Sequence, residues 1–228
     1  MWRELRDELE GQGFELVTVA LEIRGWEEAR RWIEAAQPEH PSLLDAAHRL
    51  GDLYGIVNVP TGVWIDESGA LVRPPEPAFP ARPAFLDQPP PETATPRLRE
   101  VMAEARKLKM DGDRYPAALR DWVARGAQSR FALTAEEVGR RLGERSPGAC
   151  LAAAHFELAQ HLQRGGRPDL AIPHFKIAHR LQPANWAQKR QAWSLVDRTQ
   201  SPNDVYATGW LEEVRALGAS SYYPPLDL

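Results

Sequence analysis

Site chemistry needs nucleophiles, metal ligands or paired acids, and this sequence offers few of them. It holds one cysteine, Cys150. A lone thiol closes no internal disulfide and builds no multi-cysteine metal site. Cys150 lies in SPGACLAAAHF, and its small apolar neighbours predict a buried structural thiol. His155, His161, His174 and His179 invite a metal reading. Within each helical segment, however, they are six and five positions apart, not the three or four that share a helix face. No metal and no cofactor is expected. The acidic residues form no pair suited to acid–base catalysis and read as solvated helix faces. A net charge of −4 and a pI near 5.9 disfavour a general nucleic-acid surface. The run NWAQKRQAWSL has the aromatic and basic residues for base stacking, but Trp186 and Trp193 read as packing residues.

One stretch combines several specific features: VNVPTGVWIDESGALV, residues 57–72. Pro60 cannot donate to a ladder, so it belongs at the start of a strand. GVWID, the turn at Glu67-Ser68-Gly69 and ALV together predict a hairpin. Gly55, just ahead, can close a helix with positive φ. These residues supply no nucleophile.

The elements that must position this stretch follow from periodicity. Residues 2–9 read as an amphipathic helix that ends near Gly11 and Gly13. FELVTVALE, residues 14–22, is a nearly continuous apolar run and predicts a strand buried on both faces. Residues 26–36 return to helical spacing. A short extended piece at 40–44, a helix over 46–54 and the hairpin complete an α-β-α-(β)-α-β-β order. Between Pro74 and Pro96 there are nine prolines in 23 residues, which predicts a linker or a strap on a domain surface. Beyond it, helices are expected over 97–110, 116–124, 135–142, 149–164, 168–181, 186–196 and 202–217. Thr134 with Glu137 forms a candidate capping box. Ser201 before Pro202 reads as an N-cap with proline at the first helical position.

The element order, with Tyr54, Gly55, Ile56, Val59, Pro60, Thr61, Ile65, Asp66 and Gly69 in these places, resembles the thioredoxin superfamily over residues 1–73. The nearest likeness is to thiol-disulfide oxidoreductases of the TlpA and ResA type. The resemblance implies a cis bond before Pro60, with Val59, Pro60 and Thr61 as the wall of a redox site. It also implies a central strand and a Cys-x-x-Cys pair ahead of Trp2, and the given sequence contains neither. Without an activated thiolate there is no nucleophile for disulfide exchange. In the family the missing strand lies between FELVTVALE and GVWID. Those two strands are therefore expected to pair directly, or to expose edges that promote self-association.

Residues 152–185 resemble one tetratricopeptide repeat, with the 34-residue length of that family. The matching positions are Leu158, Ala159, Gly166, Ala171, Phe175, Ala178 and Pro183. The alanines let two antiparallel helices approach, Phe175 fills the gap, Gly166 serves the turn and Pro183 ends the pair. A lone repeat cannot bury both faces, so flanking helices must cover it. The resemblance implies a protein or peptide partner.

The expected fold is an incomplete α/β thioredoxin-like domain over 1–73, a proline-rich linker over 74–96 and an all-α TPR-like domain over 97–228. No run approaches the roughly 18 apolar residues of a membrane helix. The charged start lacks a signal peptide's apolar centre, so a cytoplasmic protein is expected. The expected function is a redox-inactive interaction protein. The alternative is a thiol-disulfide oxidoreductase whose Cys-x-x-Cys lies upstream of the given start.

Overall fold

A computed structural model describes residues 2–228. Helix α1 (Trp2–Leu9) leads to strand β1 (Thr18–Leu21), α2 (Trp26–Ala36), β2 (Ser42–Asp45), α3 (Arg49–Tyr54), β3 (Thr61–Ile65) and β4 (Leu71–Pro77). Seven helices follow: α4 (Pro96–Ala105), α5 (Arg114–Arg125), α6 (Ala135–Leu142), α7 (Pro147–Arg164), α8 (Pro168–Leu181), α9 (Trp186–Val196) and α10 (Trp210–Leu217).

Side chains explain several of these boundaries. Asp45 ends β2 and caps α3, its carboxylate accepting from Arg49 N at 2.9 Å and Leu50 N at 2.7 Å. Thr95, Thr134, Ser146 and Asn185 cap α4, α6, α7 and α9 in the same way. The capping box at Thr134 is half formed. Thr134 Oγ1 accepts from Glu137 N at 3.2 Å, while the Glu137 carboxylate turns to Arg140 and Arg141.

Strand β1 pairs in parallel with β2, and β3 pairs antiparallel with β4, giving two separate two-stranded sheets. Three expectations are corrected here. First, β1 covers only Thr18–Leu21 of the apolar run and is half-buried on both faces. A second neighbour strand would be needed to bury it fully. Second, of the two alternatives expected for β1 and β3, direct pairing is absent. Third, the helix expected over 202–217 is present only from Trp210. Ahead of it Asn203 Oδ1 accepts from both Val205 N and Tyr206 N at 2.9 Å, building a turn instead. The turn brings Gly209 against the Gln200 carbonyl so closely that a Cβ there would collide with it.

The proline-rich stretch is built into the body of the molecule. Pro74, Pro75 and Pro77 lie in β4, an edge strand where missing donors cost little. Arg73 and Glu76 form a buried ion pair, with Nε–Oε2 at 3.0 Å and Nη2–Oε1 at 2.6 Å. Arg73 also donates to the carbonyls of Phe131 and Asp227. Those bonds occupy four of the five guanidinium N–H groups, and such pairing is what lets a buried charge be tolerated. Ala78, Phe79 and Leu86 are buried.

Two apolar clusters hold the molecule together, and each draws on residues from both sides of that stretch. The larger gathers Phe156, Phe175, Trp193, Leu211 and Val214 of the last helices with Ile23 and Phe79. The smaller joins Leu5 and Leu9 of α1, Trp64 of β3, Tyr115 and Leu119 of α5, and Leu226. Gly62 is required beside it, because a Cβ there would strike the Tyr115 hydroxyl. That hydroxyl accepts from Trp64 Nε1 at 2.8 Å. The tail 222–228 enters both clusters, through Tyr222 and Tyr223 in one and Leu226 in the other. Among the described residues no helix is long and apolar enough to cross a membrane.

Candidate binding cleft

The loop before β3 is tied on every side. The Val59–Pro60 peptide bond is cis. Four successive carbonyls each accept a hydrogen bond. Val57 O takes Ala187 N at 3.0 Å, Asn58 O takes Thr61 Oγ1 at 2.6 Å, Val59 O takes the Tyr223 hydroxyl at 3.0 Å and Pro60 O takes Ala78 N at 3.2 Å. The buried Asn58 side chain works in both directions, accepting from Val59 N at 2.9 Å and donating to Tyr222 O at 3.1 Å. Burial raises the Tyr223 pKa, so its hydroxyl stays protonated and donating. The proposed wall residues Val59, Pro60 and Thr61 are therefore held by α9 and the tail as well as by their own hairpin.

Val59 and Pro60 line a cleft of about 510 Å³. Trp2, at the start of α1, shares it. Its opposite walls come from Phe79 and Leu86, from Val101 and Leu108 in and after α4, and from Trp210, Leu211 and Tyr222. The size lies within the ordinary range for ligand sites. No Asp or Glu lines it, but three arginines do: Arg97, Arg190 and Arg198. Arg97 is spent on a two-pronged pair with Glu212, at 2.5 and 2.9 Å. Arg198 makes the same kind of pair with Glu28, at 2.7 and 2.6 Å. Each pair holds its carboxyl below the usual carboxylate range.

The repeat-like hairpin α7–α8 lies apart from this cleft. Ala159, Ala171, Phe175 and Ala178 are fully buried between helices, and Phe175 meets Phe156 edge-on at 5.5 Å. Gly166 takes φ +72° in the turn. Pro183 follows the end of α8, and its carbonyl accepts from Lys189 Nζ at 3.0 Å. Leu158 departs from expectation: it is 41 % exposed. The buried stripe of α7 runs through Ala152, Phe156 and Ala159, and one residue is roughly 100° of helix rotation. Cys150 also departs, being exposed rather than buried. It sits in the first turn of α7, two positions ahead of the first buried alanine.

Two of the histidines, His155 and His174, pair across helices. Nδ1 of His155 and Nδ1 of His174 are 2.8 Å apart in stacked rings, so one ring donates and the other accepts. Spacing within each helix could not show this, because the contact joins α7 to α8. No group of three or more metal-ligating side chains forms among the described residues. His48 and His179 are pushed down by burial, to about 4 and about 3.

Sequence reasoning found Val59 and Pro60 but missed Arg190, Trp210 and Tyr222. The Tyr223–Val59 bond spans 164 positions, and no local pattern encodes such a pairing. The aromatic–basic run containing Arg190 and the aromatic tail were the available signals. No protein-family model matches this sequence, and no curated protein or solved structure matches it.

Proposed function

We propose that this chain is a redox-silent binding protein whose cleft receives a segment of a protein partner. The observation that supports this is a single cleft lined by the cis-proline loop on one side and the helical half on the other. The sequence holds no dithiol, and its one thiol is exposed on α7, outside the cleft lining. The redoxin-like residues then act as framework: their carbonyls anchor α9 and the tail, and their proline forms an apolar surface. A peptide-display library panned against wild type and against Ala105→Trp, which fills the cleft from α4, tests the reading. Wild type should enrich apolar segments, and the filled variant should not. Equal enrichment by both proteins would place binding elsewhere. Insulin reduction well above background by this chain would overturn its redox silence.

One observation favours a second reading, that of a thiol-disulfide oxidoreductase with an upstream catalytic pair. Trp2 and Pro60 line the same cleft, so a dithiol placed just before Trp2 would face the proline. An in-frame longer product carrying Cys-x-x-Cys and active in the same assay would support it.

A further inference from the structure

We propose that the segment received by this cleft is the carboxyl terminus of an apolar partner chain, with its carboxylate on Arg190. This rests on the cleft being the binding site, as proposed above. The cleft wall carries three guanidinium groups and no carboxylate. Two of the three are neutralised by the Glu212 and Glu28 pairs. Arg190 differs. Its Nε donates to Gln200 Oε1 at 3.2 Å, and among the described residues neither Nη has an acceptor. A planar fork with two free N–H edges matches a carboxylate in two-pronged geometry.

The rest of the wall suits the body of such a segment. Phe79, Leu86, Val101 and Leu108 line the same cleft as Arg190 with apolar surface. A peptide terminus offers a carboxylate, backbone carbonyls and apolar side chains together. A fatty acid shares the carboxylate, and titration separates the two sources.

The test is calorimetric titration of the whole chain with N-acetyl-leucyl-phenylalanine bearing a free carboxylate, with its carboxamide, and with decanoate. The free acid should bind at least tenfold tighter than the amide. Arg190→Gln should remove that preference, while Arg140→Gln, at an exposed position of α6 outside the cleft lining, should leave it. Should Arg190→Gln fail to fold, Arg190→Lys serves instead: it keeps the charge without the fork and should reduce the preference without abolishing it. Equal binding of acid and amide would overturn the carboxylate while leaving the cleft as the site. Decanoate binding as tightly as the peptide acid would overturn the chain terminus. No binding by any probe, with library selections also failing, would remove both proposals.

Discussion

Phe175 shows how a single side chain carries the repeat-like hairpin. It is 1 % exposed, lies edge-on to Phe156 and is surrounded by alanines that leave room for its ring. Phe175→Ala should cost about 3–5 kcal/mol, the loss of a buried aromatic plus the cavity it leaves. A shift below about 1 kcal/mol in denaturant unfolding would show that the hairpin packs some other way. This residue was legible because the positions of Ala159, Ala171, Phe175 and Ala178 resemble those of a 34-residue helical repeat. Leu158 was not legible, because a repeat pattern assigns a leucine to the core whatever the rotation of the real helix. Cys150 failed for a related reason: small apolar neighbours describe a helix start as well as they describe a core.

At the scale of the element, the helices were read better than the strands. A helix announces itself through local caps and a face, and Thr134 is an example. Its hydroxyl takes the Glu137 amide, so Thr134→Ala should destabilise the protein by about 1 kcal/mol. Thr134→Ser should be close to neutral. Urea midpoints for the two variants decide the matter, and equal losses would mean that the cap is idle. Strand β1 is the contrast. Its apolar run promised a strand buried on both faces, but that burial depends on which neighbours arrive, and only β2 does. The helix expected at Pro202 was lost in the same manner. Ser201-Pro202 is a sound start signal, yet Asn203 captures two amides and turns the chain before a helix can begin.

At the scale of the whole molecule, the two clusters ignore the boundary suggested by the prolines. Composition shows where backbone donors are scarce but not whether the stretch lies against a core. The buried Arg73–Glu76 pair at its start is invisible to composition. Acid stability should report another whole-molecule property, the burial of His179. Burial, with Lys189 nearby, holds its pKa at about 3 in the folded chain, against roughly 6.5 when unfolded. Between these values the unfolded chain binds the extra proton, so stability is complete above the window and falls as pH drops through it. Carboxylates that are paired in the fold change stability in the same direction, so the comparison must be with a variant. Near pH 5 the stability slope of wild type should exceed that of His179→Gln by about one proton. Urea unfolding at several pH values measures it, and parallel slopes would show that the imidazole is charged in the fold.

The tail has a consequence for how the chain is made. Tyr222, Tyr223 and Leu226 complete both clusters and fasten the loop at Val59. Synthesis runs from the amino end, and the early segments reach water first. Leu5, Leu9 and Trp64 therefore leave the ribosome long before the residues that seal them. Until residues 222–228 emerge, the growing polypeptide carries part of this apolar surface uncovered. It closes fully only once residues 222–228 have emerged and docked.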